Sequence, residues 1–202
     1  MPQPTASTAS AASAGSAGSP EPAPYRVVAV SADQEHRFAK VPREAIELLV
    51  GLGVAGDAHL GVTVQHRSRV ARDPSQPNLR QVHLVAREFL DEAVGLGFAV
   101  TPGELGENVL TAGLDLLALP TNTLLHLGED AVVRVTGLRN PCHQIDDLQD
   151  GLLKVAVSRD HEGHIVRRAG VMAVVEVAGR VRAGDPIAVI LPTGAPEALE
   201  PV

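Results

Sequence analysis

From Asn108 to Pro192 the chain is a succession of short runs rich in Val and Leu: NVLTAG, TLLHLG, AVVRVTGL, RAGVMAVVEVAG and DPIAVILP. Each is bounded by Gly, Asp or Pro, the residues that turn a chain, so each reads as a β-strand. Within AVVEVAGRVRAGDPIAVI, the pieces AGR and RAGDP predict turns between successive strands. Short strands at close spacing predict a mainly β fold with a few helices, a barrel or a sandwich, and argue against a Rossmann sheet. Hydrophobic residues make up 45% of the sequence but aromatics only 2%, with no Trp. The core must therefore be built from Val, Leu, Ile and Ala.

Upstream, YRVVAVS (Tyr25 to Ser31) opens the ordered part as a β-branched run, and RQVHLV (Arg80 to Val85) alternates like a half-buried strand. AREFLDEAVGLG predicts a helix with Phe89, Leu90, Ala93 and Val94 on one face, ending at Gly95 or Gly97. PREAIELLVGLG, from Pro42 to Gly53, also carries a helical pattern. Residues 1–24 are mostly Ala, Ser, Gly and Pro with almost no apolar bulk, which predicts a disordered tail. The domain is expected over residues 25–192, followed by a flexible tail over 193–202.

A net charge of −7 excludes a general nucleic-acid binder. No apolar run reaches the length of a membrane span, and the N-terminus lacks the basic and Leu-rich regions of a signal peptide. One cysteine makes no internal disulfide, so a cytoplasmic protein is expected.

That cysteine, Cys142, lies in VTGLRNPCHQID. Pro141 fixes its own φ and pushes Asn140 towards an extended conformation, holding the segment in a turn. Arg139 and His143 supply positive charge that favours thiolate over thiol, while a buried, inert cysteine is the plainer alternative. GVAGDAHLG places Asp57 where it could orient His59 between glycines, or simply make a tight turn. HRSRVARDPSQPNLR concentrates Arg67, Arg69, Arg72 and Arg80, a set suited to an anion or to a solvated loop. In PGELGENV, Glu107 and Asn108 set a carboxylate beside a carboxamide, which suits the edge of an amino-pyrimidine, or a β-turn before a strand. HEGH (His161 to His164) has metal-like spacing, but Asp and Gly around it predict a hairpin tip without further ligands. No Gly-x-Ser-x-Gly, Walker loop or paired Cys motif is present.

Taken in order, GDAHLG, HRSRVARDPSQPNLRQVHLV, PGELGENVLTAGLDLLALP, TGLRNPCHQID, AGVMAVV and VRAGDPI resemble the MOSC family, named for the C-terminal part of molybdenum cofactor sulfurase. The resemblance runs from about Tyr25 to Leu191. It implies a MOSC-type β-barrel and an association with the molybdenum cofactor, molybdopterin. It also implies that Cys142 carries sulfur as a persulfide or ligates molybdenum. The chain has no room for the pyridoxal-phosphate domain of full sulfurases, so a sulfur donor protein would be needed. Some stand-alone relatives reduce N-hydroxylated compounds, which here would require a partner reductase. A non-catalytic cofactor-binding or storage module is the alternative. Asp57, His59, Arg80, Glu107 and Asn108 are expected to converge on Cys142, joined by Arg139 and Asn140. The cofactor phosphate, or its nucleotide extension, is expected on Arg67, Arg69 or Arg80, with Arg167 and Arg168 as the alternative.

Overall fold

The computed structural model describes residues 24–202, apart from the side chains of residues 67 and 68. Residues 1–23, most of the expected disordered tail, lie outside it. The fold is mainly β. Strands β1 (Arg26–Ala32), β2 (Val41–Arg43), β5 (Val82–Ala86), β6 (Val109–Ala112), β7 (Leu124–Leu127), β8 (Ala131–Leu138), β11 (Val171–Val177) and β13 (Ile187–Ile190) form one sheet. Its order is β13-β7-β8-β11-β5-β6-β1-β2. A smaller sheet orders β12 (Gly179–Arg182), β3 (Ala45–Leu49) and β4 (Gly53–Val54), and β9 (Val157–Arg159) pairs with β10 (Ile165–Arg167).

The large sheet is not closed into a barrel, because no ladder joins its edge strands β13 and β2. It curls far enough for Arg26, at the start of β1, to bridge Pro186, just before β13. All its ladders are antiparallel except β5–β6. Helix α2 (Arg87–Gly95) makes the crossover that this parallel pair requires.

Alternation along the central strands separates two environments. Val82 and Leu84 of β5, and Val171, Ala173 and Val175 of β11, face a core shared with Ile46, Leu48, Val54 and Val181 of the small sheet. On the other face, Val85 and Leu110 pack with Phe89, Leu90 and Ala93 of α2. Helices α3 (Gln144–Leu148) and α4 (Leu152–Ala156) add Ile145, Leu152 and Ala156 to that second cluster. His83 of β5 and Met172 of β11 alternate with the first core's residues and line a cleft.

Besides the expected barrel, which is left open, three sequence readings change. Residues 42–53 are strands, not a helix: Ile46 and Leu48 alternate into the core, and β3 pairs with β12, Ile46 opposite Val181. Tertiary pairing overrides the local helical pattern. In α2, Phe89, Leu90 and Ala93 are buried as expected, but Val94 is exposed. Finally, β12 does not continue the hairpin from β11 but leaves the large sheet to pair with β3. After Pro192 the chain returns along β8, with Leu199 buried in the first core. Among the described residues no helix is long and apolar enough to cross a membrane.

Candidate functional site

Strand β8 ends at Leu138, and the next four residues carry Arg139, Asn140 and Cys142 into a cleft of about 550 Å³. The cleft is completed by the loop before β2 (His36, Phe38, Lys40), by His59, by the arginine-rich segment, and by His83 and Met172 from the sheet. Sequence from widely separated parts of the chain thus meets at one thiol. The one-turn helix α1 (Arg67–Val70) lies within the arginine-rich segment.

Of the residues singled out in the sequence, His59, Arg69, Arg80, Asn108, Arg139, Asn140 and Cys142 line this cleft. Arg72 lines it as well. The side chain of Arg67 lies outside the described residues. Asp57 and Glu107 stand behind the wall, both buried. Arg168 is not at the cleft: it grips Glu92 of α2 with both terminal nitrogens and lies over the Phe89 ring. Arg167 reaches it only through Asn140, whose Oδ1 accepts from its Nε at 3.2 Å.

The Cys142 thiol is half-buried and donates to Oε1 of Gln144 at 3.4 Å. His143 does not flank it. Its side chain is 84% exposed and faces Asp147. The positive charge comes instead from Arg139 and Arg80, both close enough to interact electrostatically with Cys142. Arg139 is almost fully buried, with its guanidinium 5.4 Å from the centre of the Phe38 ring and its Nη1 without a hydrogen-bond partner. Burial lowers its pKa. Burial and the guanidiniums of Arg69 and Arg139 bring Arg80 down to about 10, so it remains charged at neutral pH. His66, half-buried among the same cations, is pushed down to about 4 and is neutral at pH 7. Burial, and then the charge of Arg139, also hold His83 well below the ordinary histidine value, and its Nε2–H donates to the Ala169 carbonyl at 2.8 Å.

Asp57 organises the opposite wall. Its Oδ2 accepts from the Lys40 ammonium at 2.6 Å and from the Asn108 carboxamide at 3.0 Å. Its Oδ1 accepts from the His59 backbone at 2.9 Å and lies 3.2 Å from His59 Nδ1. Burial opposes ionisation of Asp57, but the hydrogen bonds from His59 and the charge of Lys40 outweigh it and hold the carboxyl well below its usual range. Burial also disfavours the Lys40 ammonium, which Asp57 stabilises in return. An ionised carboxylate only accepts, so Nδ1 of His59 carries the hydrogen and Nε2 is left on the free edge of the ring. The His59 ring lies between those of His36 and His66, with centroids 5.5 and 6.3 Å away.

Asn108 and Glu107 do not present a recognition edge. The Asn108 Nδ2 donates to the Ser31 carbonyl and to Asp57, and its Oδ1 accepts from the His83 backbone at 3.1 Å. Glu107 Oε1 accepts from the Gly103 backbone at 2.5 Å, while Oε2 has no partner. Burial pushes this carboxyl up to about 7. At the β9–β10 tip, ligand atoms of Asp160, Glu162 and His164 lie within 4.8 Å of one another, all exposed, and His161 is not among them. Asp160 there closes the turn, accepting from the backbones of Glu162 and His164.

Lys40, Phe38, His36 and His83 belong to the site and were not singled out in the sequence. Lys40 had a signal: it is one of two lysines in the chain. The others are marked by no local motif.

A family model for the MOSC domain matches residues 58–188. Among solved structures, the YUAD protein from Bacillus subtilis superimposes with a TM-score of 0.65 at 23% identity, covering 82% of this chain and 94% of that one. YiiM from Geobacillus stearothermophilus gives 0.58 at 16% identity, over 86% of this chain and 79% of that one. YiiM from Escherichia coli gives 0.54 at 20% identity, over 85% and 73%. These likenesses concern the fold. A comparison with curated proteins finds no match.

Proposed function

The chain belongs to the MOSC domain family, and from that premise we propose that its cleft holds the phosphate-bearing molybdenum–pterin cofactor, with Cys142 as the thiolate that ligates the metal or carries sulfur to it. One observation carries this reading. The only thiol in the sequence sits in the cleft wall beside two largely buried guanidiniums, one with an unpartnered Nη1. In a protein of net charge −7, such a concentration of buried positive charge calls for an anion.

The residues fit the group. A cleft of about 550 Å³ is in the range of small-molecule and cofactor sites. Thiolate is a soft ligand suited to molybdenum, and guanidinium suits phosphate. Arg69, Arg80 and Arg139 would hold the anion and Cys142 the metal. Glu107 would act from behind the wall, and Asn108, in the wall itself, by holding Asp57. When bound, the cofactor supplies two-electron redox chemistry at its metal.

The Asp57–His59 pair favours reduction of an N-hydroxylated compound over transfer of sulfur. Converting R–NHOH to R–NH₂ and water takes up two electrons and two protons as the N–O bond breaks. His59, its Nδ1–H held by Asp57, can take a proton from solvent on the open Nε2 and pass it to the departing oxygen, the second proton coming from solvent. The electrons would come from a partner reductase.

Protein purified from a host that makes the cofactor should contain molybdenum by elemental analysis and pterin by fluorescence. It should reduce an N-hydroxylated base when supplied with an artificial electron donor. The Cys142→Ser variant should fold normally and lose the metal. Wild-type protein devoid of both molybdenum and pterin would sink the proposal.

A further inference from the structure

Two buried groups of opposite charge stop short of each other at the cleft wall. Arg139 is 7% exposed and lines the cleft, whereas Glu107 is 1% exposed and stands behind it. Glu107 Oε2 and Arg139 Nη1 both lack a hydrogen-bond partner, so the pair is not closed. Each is held from its own side. Glu107 Oε1 accepts from the Gly103 backbone at 2.5 Å, and the Arg139 guanidinium lies 5.4 Å from the centre of the Phe38 ring. The two still act on each other through space, each favouring the charged form of the other. We propose that Glu107 is a proton-operated counter-charge for the anion site: protonated, it leaves the whole charge of Arg139 to an anion in the cleft, and ionised, it takes part of that charge away. This rests on the anion-binding reading of the cleft and adds how that binding is regulated. Glu107 is a positioning residue, since it touches no bound group and acts through Arg139.

Burial sets the working range. It outweighs the backbone N–H groups of Gly103, Glu107 and Leu105 and the charge of Arg139, and so brings the carboxyl up to about 7. The other charged or titratable groups near Glu107 come from three elements. Lys40, from the loop before β2, has Asp57 as its own counter-ion and also feels Asp33. His83, on β5, is held neutral by burial and by Arg139. Arg139 itself faces Arg80, His66 and Cys142 across the cleft. No Asp or Glu lines the cleft among the described residues, so Glu107 is the carboxyl placed to draw on Arg139. An anion on Arg139 competes for the same charge and raises the affinity of Glu107 for a proton. By linkage, the proton raises the affinity for the anion by the same factor.

Sulfate is the probe, because its charge does not change between pH 6 and pH 8. Calorimetric titration in buffers of different ionisation heat counts the protons taken up as it binds to the full chain. Near pH 7 the wild type should take up as much as about half a proton per site, and its affinity should fall several-fold from pH 6 to pH 8. Glu107→Gln keeps an acceptor for Gly103 but no charge. It should take up fewer protons and, at pH 8, bind sulfate several-fold more tightly than wild type. His36 and His59 also line the cleft and add protons of their own, but they are common to both proteins. Repeating the pair on Cys142→Ser removes titration of the thiol. A second measurement needs no substitution at Glu107: in the wild type, carbon-13 NMR of its Cδ should give a midpoint that rises when sulfate is added. An unmoved midpoint overturns the proposal, and so does a proton count that is equal in wild type and Glu107→Gln. Wild type that binds no sulfate at pH 6 overturns it together with the anion reading of the cleft. Sulfate binding without a proton linked to Glu107 overturns it alone.

Discussion

At the scale of single residues, two buried charges decide how the site responds to pH and to mutation. Lys40 and Asp57 form an ion pair with side chains only 6% and 1% exposed. Removing one partner strands the other, so Lys40→Met should cost about 3–5 kcal/mol in a denaturant titration. Adding Asp57→Asn should recover part of that loss, since an amide needs no counter-charge. The double-mutant cycle measures the coupling. Glu107 behaves in the opposite sense to Asp57. Its folded pKa is raised from the ordinary 4.5 to about 7, so its stabilising contribution is complete below 4.5 and is lost as pH rises towards 7. In that window stability should fall by ~1.4 kcal/mol per pH unit, about 3 kcal/mol in all. Glu107→Gln keeps the acceptor for Gly103 and should flatten this part of the stability profile. An unchanged pH slope in the variant would show that Glu107 ionises normally. Asp57, whose pKa is depressed, contributes stability above its ordinary 3.8 that is lost only as pH falls through the lower folded value.

At the scale of elements, the wall behind the cleft depends on one turn. Gly103 has φ +91°, donates to Glu107 and accepts from the Lys40 backbone at 2.8 Å. A Cβ at this position would collide with the Lys40 carbonyl. Gly103→Ala therefore combines left-handed strain with a backbone clash and should cost about 2–4 kcal/mol. It should also displace Lys40 from Asp57, visible as a chemical-shift change at His59. Helix α2 is a different case. Its seating rests on Phe89, Leu90 and Ala93, so Phe89→Ala should cost about 3–5 kcal/mol in thermal unfolding. Both elements are short-range readings of the chain, and both α2 and the turn glycines are legible in sequence. The helical pattern of residues 42–53 misleads because Ile46 and Leu48 satisfy a two-residue period as well, and the partner that selects it, β12, lies more than 130 residues away.

At the scale of the whole molecule, charge is distributed against its average: the chain is acidic overall, yet its cleft gathers Arg69, Arg72, Arg80 and Arg139. Anion binding there should weaken as ionic strength rises, but less steeply than for exposed arginines, because buried charges are poorly screened. Pyrophosphate titrated at low and high salt by calorimetry checks this. Binding indifferent to both salt and Arg80→Ala would remove the arginines from any anion site. The sequence by itself determined the strand-rich character of the chain, the course of α2, the composition of the core and the special position of Cys142. These are local matters, set by turn residues, by periods of 2 and 3.6, and by the rarity of a residue type. Only the tertiary structure decided that the large sheet stays open and that Asn108 and Glu107 serve the wall. It also decided that Arg80 replaces His143 beside the thiol and that Lys40 pairs with Asp57. Those outcomes depend on which distant strands pair and on which charges lose their water together, and neither is encoded in any short stretch of chain.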